Sequence, residues 1–163
     1  MDIENRIVVV TGAAGGIGKA LAIRFHQAGA KTVVCADLDK DGAEATAAEI
    51  NGVAHQINVA SEDEIKNLID TVESEQGPID LFCSNAGIMV KGGPEAANDD
   101  WQKIWDINVM AHVYAARHDR TGPRLFSEHR LRRRAAVTGG FRTLLGHQAC
   151  RRGTGRMAGL YLC

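Results

Sequence analysis

Residues 6–18 read Arg-Ile-Val-Val-Val-Thr-Gly-Ala-Ala-Gly-Gly-Ile-Gly, and this stretch decides the fold. Arg6 to Thr11 is short, rich in β-branched side chains and without polar alternation. That is the pattern of a strand buried on both faces of a parallel sheet. A glycine-rich turn follows, after which Ile17, Leu21 and Phe25 recur at helical spacing until Gly29 stops the pattern. A strand, a glycine turn and a helix in this order begin a β-α unit.

Working outward, the same unit repeats. Lys31 to Ala36 is a second buried strand, and Asp41 to Ile50 reads as a helix. Val53 to Val59 is a third strand. Ser61 with Glu64 three residues on forms a capping box, each side chain bonding the other's backbone N–H, ahead of a helix lined by Ile65, Leu68, Ile69 and Val72. Ile79 to Ser84 is a fourth strand, and Trp101 to Ile107 and Val109 to His118 read as helices with a break near Asn108. Repeated β-α units with short connections imply an α/β fold of the Rossmann type, a doubly wound parallel sheet with right-handed crossovers, incomplete on its C-terminal side.

The glycine turn carries chemistry because it sits where backbone N–H groups and the positive end of a helix face an anion such as a pyrophosphate, and missing β-carbons permit close approach. A second feature agrees with it. Asp37 closes the second strand 19 residues after Gly18, where a carboxylate can accept hydrogen bonds from an adenosine ribose. Two plainer readings use the same residues: the glycines make a tight turn and Asp37 caps the next helix, or the chain is another Rossmann-type protein, such as a methyltransferase.

Further along, the fourth strand ends in Asn85-Ala86-Gly87, and Asp100, Trp101, Asn108 and Val109 form an Asp-Trp-x6-Asn-Val stretch. With the Thr-Gly-x3-Gly-x-Gly turn, this combination closely resembles the short-chain dehydrogenase/reductase family over residues 3 to about 118. The resemblance implies that Gly12, Gly16, Ile17 and Gly18 cradle the cofactor phosphates, Asp37 binds the ribose, and Asn58 with Val59 flanks the adenine. Family members often have Asp at the place of Asn58. It also implies that Asn85, Ala86 and Gly87 meet the nicotinamide ribose, and that Asn108 is the asparagine of the catalytic tetrad, holding a kinked helix and a relay water. The activity implied is NAD-dependent hydride transfer between a small alcohol and a ketone. NAD is expected over NADP because Asp37 repels a 2′-phosphate and neither Gly15 nor Leu38 supplies a neutralising arginine.

The rest of the tetrad is a tyrosine, a lysine four residues later and a preceding serine. After Asn108 the tyrosines are Tyr114, with His118 four residues on, and Tyr161, two residues from the end; no lysine follows Lys103. Composition changes at the same place. Residues 1–118 carry nine Lys and Arg against eighteen Asp and Glu, whereas residues 119–163 carry ten arginines and two acids, with no lysine, isoleucine or asparagine. The chain is therefore divided into a dinucleotide-binding Rossmann body, 1–118, and a basic tail, 119–163, expected to be poorly ordered.

The genetic code offers an explanation of the tail. Let Leu144 to Gln148 be encoded CTA CTC GGT CAC CAA, with the G of the Ala149 codon following. Reading one base later then gives Tyr-Ser-Val-Thr-Lys. Treated alike, Glu128 to Arg134 as GAA CAC CGC CTC CGC CGC CGG becomes Asn-Thr-Ala-Ser-Ala-Ala-Gly. One shift thus puts a serine in place of Leu131, a tyrosine in place of Leu144 and a lysine in place of Gln148, thirteen and then four positions apart. The tail admits two other readings. One is a nucleic-acid patch at Arg130 and Arg132 to Arg134, which lacks interleaved aromatics; the other is a genuine noncatalytic dinucleotide-binding or interaction module.

The 163 residues, 45% apolar and 24% charged, suffice for one domain and argue against a collagenous or wholly disordered chain. No run of eighteen apolar residues and no signal-peptide pattern occurs, so a cytoplasmic protein without membrane association is expected. Cys35, Cys83, Cys150 and Cys163 lack paired spacing, so neither a metal site nor a disulfide framework is expected. A homo-oligomer is implied for the intact family member.

Overall fold

A computed structural model of the chain describes residues 3–118. The expectation of disorder in 119–163 lies outside the described residues. Four parallel strands, β1 (Ile7–Thr11), β2 (Thr32–Asp37), β3 (Val53–Gln56) and β4 (Leu81–Cys83), form one sheet in the order β3-β2-β1-β4. The helices are α1 (Gly16–Gln27), α2 (Lys40–Glu49), α3 (Glu62–Glu75), α4 (Asn98–Trp105) and α5 (Ala111–His118). The doubly wound parallel sheet read from the sequence is the observed architecture.

The apolar run in β1 serves two cores at once. Val8 and Val10 pack with Ala22 of α1 and Ala47 of α2 on one face, and Ile7 and Val9 pack with Ile65, Leu68, Ile69 and Val72 of α3 and Ala111 and Ala115 of α5 on the other. Every residue of β1 is buried, which is why no polar alternation could be tolerated there. Register with β4 is fixed at the strand start. Asp80 accepts the Ile7 N–H at 3.1 Å and pairs with Arg6 at 3.0 Å, while its own N–H donates to the Ile7 carbonyl at 2.9 Å.

Element ends moved by one to three residues for identifiable reasons. The third strand stops at Gln56 rather than Val59, because Asn58 to Ser61 turn into α3, the Ser61 N–H donating to the Asn58 carbonyl at 3.0 Å. The capping box is only half formed. Ser61 Oγ accepts from the Glu64 N–H, but Glu64 Oε2 accepts the Asn58 N–H at 2.7 Å instead of that of Ser61. Ile17 is not on the buried face of α1, being 74% exposed; Gly18 and Ala22 are buried there instead. Near Asn108 the helix does not break: Asp106–Met110 form one π-helical turn between α4 and α5. At the far end of α5, Arg117 and His118 both bond Glu62 at the start of α3, holding that carboxyl below its ordinary range through those hydrogen bonds.

Burial pushes the Cys35 thiol up to about 11. The unfolded thiol ionises near 9, so between pH 9 and about 11 the unfolded chain binds fewer protons and stability falls with rising pH. In urea titrations the midpoint is expected to drop over this window, and Cys35→Ala is expected to flatten the drop. An unchanged slope in that variant refutes the assignment.

Candidate functional site

The site is built at the C-terminal ends of the strands, from the segments that leave β1, β2, β3 and β4. Thr11 closes β1, and its buried hydroxyl donates to the Cys83 carbonyl at 3.4 Å while accepting the N–H groups of Asn85 at 3.0 Å and Ala86 at 3.1 Å. Asn85 returns the contact, its Nδ2 donating to the Thr11 carbonyl at 3.1 Å. These bonds clamp the segment after β4 against the glycine turn.

Glycine is required at two points of that turn for steric reasons. A β-carbon on Gly18 lies 1.9 Å from the Gly12 carbonyl oxygen, and Gly12 itself has φ +71° with its missing β-carbon 3.0 Å from Ala86 Cα. No side chain caps the start of α1, and its first turn carries no acidic residue. Its leading N–H groups are thus left for an anion. On the β2 side, Asp37 accepts the Ala14 N–H at 2.9 Å and the Asp39 N–H at 3.0 Å. Asp37 does not cap α2, since Asp39 accepts from Gly42 N–H in that role.

Together these elements enclose a cavity of about 460 Å³. Gly12, Ile17, Gly18, Asp37, Asn58, Val59, Asn85, Ala86 and Gly87 line it, so the structure brings together most of the residues picked out in the sequence. Gly16 and Asn108 are not in its wall. Gly16 has φ +53° and begins α1. Asn108 stands behind the wall: its Oδ1 accepts the Ile88 N–H and its Nδ2 donates to the Ile88 carbonyl, both at 2.8 Å. Both ends of the amide are used, so it positions the loop after β4 while Ile88 itself faces the cavity. Leu38, Ile57, Ile88 and Ile107 also line the cavity, and no chemical signal marks them in the sequence. Each follows directly on a motif or precedes one, which is the only clue available.

The tyrosine of the described residues, Tyr114, packs against the α3–α5 core with the Arg117 guanidinium 5.9 Å over its ring. It does not line the cavity, and His118, four residues on, is engaged with Glu62. Burial lowers the pKa of His112 on α5.

The pattern of short-chain dehydrogenases matches residues 6–119. This chain belongs to the short-chain dehydrogenase family. It is 38% identical over 125 residues to a 1-deoxy-11-beta-hydroxypentalenate dehydrogenase of Streptomyces exfoliatus, covering 72% of this chain and 45% of that protein. It is 33% identical over 121 residues to the meso-2,3-butanediol dehydrogenase of Serratia marcescens, covering 72% of this chain and 48% of the relative. Among solved structures, a glucose/ribitol dehydrogenase of the same family from Brucella melitensis superposes with TM-score 0.68 at 32% identity, over 73% of this chain and 52% of that one. An aldohexose dehydrogenase from Thermoplasma acidophilum superposes with TM-score 0.65 at 30% identity, over 72% and 44%. The chain spans about half the length of the curated relatives it matches. Members of this family are oxidoreductases that use a nicotinamide dinucleotide and act on small molecules. The glycine cradle, the uncapped helix start and the Asp37 carboxylate fit such a group. No helix among the described residues is long and apolar enough to cross a membrane.

Thr11→Val is expected to cost about 2–4 kcal/mol in urea unfolding, since it strands two N–H groups without an acceptor, whereas Thr11→Ser keeps the hydroxyl and costs about 1 kcal/mol. Equal losses for the two variants refute the role of the hydroxyl. Asn108→Asp replaces the donor to Ile88 by a second acceptor, and is expected to lower the thermal midpoint more than Asn108→Ala does. Differential scanning fluorimetry checks this order.

Proposed function

We propose that the body binds NAD in preference to NADP and is the cofactor half of an enzyme that moves a hydride between a small alcohol and a ketone. One observation carries this reading: Asp37 is held at the cavity wall by two backbone N–H groups, beside a glycine cradle that leaves room for phosphates. Gly12, Gly18 and the first turn of α1 take the pyrophosphate, and Gly16 supplies the left-handed step that starts the helix. The Asp37 carboxylate takes the ribose hydroxyls and, as a fixed negative charge with no arginine at Gly15 or Leu38, disfavours a 2′-phosphate. Asn58 and Val59 flank the purine, while Asn85, Ala86 and Gly87 meet the nicotinamide ribose. When bound, the nicotinamide supplies the hydride chemistry.

The proton needs a side chain of the chain's own, and here the reading separates the body from the sequence that follows it. Tyr114 is committed to packing, and Leu131, Leu144 and Gln148 stand at the positions that the shifted reading turns into serine, tyrosine and lysine. The division at residue 118 and the displaced reading frame beyond it are part of this proposal. As written, the chain then binds the dinucleotide without turning over. A dinucleotide-binding module that never catalyses is the second reading, and the placement of Tyr114 away from the cavity fits it equally.

Two measurements test the proposal. In binding titrations the unmodified chain is expected to prefer NAD, and Asp37→Ala to narrow that preference about tenfold by removing the like-charge contact; tighter NADP binding by the unmodified chain overturns it. In NADH absorbance assays over an alcohol and ketone panel, the 163-residue chain is expected to show no turnover and a chain with the downstream frame restored to show it. Loss of a positioned acid/base group costs about 100- to 10,000-fold. Comparable rates from the two chains overturn the reading.

A further inference from the structure

The turn between α2 and β3 is shut by a backbone bond. Asn51, just past the Ile50 cap of α2, has φ +50°, and the next N–H, that of Gly52, donates to the Ala47 carbonyl at 2.8 Å; the same carbonyl accepts the Ile50 N–H at 3.2 Å. This is a Schellman cap, in which one residue in the left-handed region lets the chain reverse onto the last helix carbonyls. Each residue of it answers to the fold. Asparagine is, after glycine, among the residues that take positive φ most readily, and a β-carbon on Gly52 lies 2.5 Å from the Val33 carbonyl oxygen. Ile50, 3% exposed, anchors the turn in the core with Ala47 and Val33.

Set side by side for these reasons, Asn51 and Gly52 make the one Asn-Gly pair of the sequence, and Asn51 is exposed. Such a pair can close on itself, because glycine has no side chain to hinder attack by its own nitrogen. The Gly52 nitrogen gives its hydrogen to hydroxide and bonds Asn51 Cγ; the Cγ–Nδ2 bond breaks, and ammonia leaves with a proton taken from water. Water then opens the succinimide ring at either carbonyl, leaving an aspartyl residue or an isoaspartyl link whose main chain is one carbon longer. Nothing is oxidised or reduced, and water is the reactant consumed. In the fold the first step is held off: the hydrogen that must leave is bonded to Ala47, and the nitrogen that must turn toward the side chain is packed against Val33. We infer that Asn51–Gly52 is a deamidation site gated by the C-terminal cap of α2, spared while the turn is shut and modified when it opens. The isoaspartyl product lengthens the chain just ahead of Val53, which pairs with Val34 at the start of β3, so modification leaves an extra carbon to place whenever that register re-forms.

The test holds the full 163-residue chain in mildly alkaline buffer, folded in one arm and unfolded by urea in the other, beside a peptide of residues 47–56 in both buffers. Peptide mapping reads the mass gained at Asn51 as amide becomes acid; isomerisation at Asp41–Gly42 leaves the mass unchanged and does not interfere. The unfolded chain is expected to be modified at the peptide's rate and the folded chain at least about tenfold more slowly, the factor that an opening free energy of about 1.4 kcal/mol imposes. Ile50→Ala loosens the anchor without touching the reacting pair, and is expected to raise the folded rate about threefold or more toward that of the peptide. A folded chain modified as fast as the peptide overturns the gate, as does an Ile50→Ala chain that folds and keeps the slow rate. An unfolded chain that gains no mass at Asn51 overturns the site. The comparison of folded with unfolded chain decides the matter even where Ile50→Ala does not fold.

Discussion

A single buried hydroxyl, that of Thr11, joins the end of β1 to the segment that leaves β4, and the cavity opens beside this joint. A crevice opens at the C-terminal ends of a parallel sheet where the connections after neighbouring strands leave for opposite faces, and the backbone N–H groups just past the last ladder bond then need other acceptors. Thr11 resolves this by accepting two of those N–H groups, from Asn85 and Ala86, on one oxygen. A serine can do the same chemistry, and a valine of the same shape cannot. The rest of the site inherits its position from this joint: the missing β-carbon of Gly12 is measured against Ala86, and Gly18 against Gly12.

A second clamp lies one layer further out. Asn108 pairs with both backbone groups of Ile88 as a neighbouring strand residue does, and so extends the order of β4 beyond its last ladder bond. Ala86 at Thr11's joint, Ile88 at Asn108's pair and Gly87 between them all line the cavity. Wall residues thus need little chemistry of their own. Their backbone is placed by amide and hydroxyl groups on elements far away in sequence.

The strands were legible because burial on both faces removes polar residues from four consecutive positions of β1, Ile7 to Val10, where a half-exposed strand alternates. The glycine turn and Asp37 were legible because their spacing answers to phosphate and ribose geometry. What escaped reading is instructive in each case. Ile17 continued the apolar period of α1, but periodicity counts an apolar side chain as core whether it faces protein or an open cleft. Glu64 sat at the right distance for a reciprocal cap, yet the N–H of Asn58 offered a partner that local spacing cannot see. Asn108 suggested a break, since an amide that leaves its helix to bond elsewhere often marks one; the helix absorbed the departure by widening instead.

That widening sets the phase of everything after it. A π-turn carries one more residue per turn than the α-helix on either side, so α5 is rotated by about 100° relative to where an uninterrupted helix would present it. The rotation is what lays Ala111 and Ala115 on α3 and brings Arg117 and His118 to Glu62. Asp106–Met110 is therefore a frame-setting device in three dimensions, as a base is in a gene: removal of one residue there leaves every later side chain intact and turns it away from its partner.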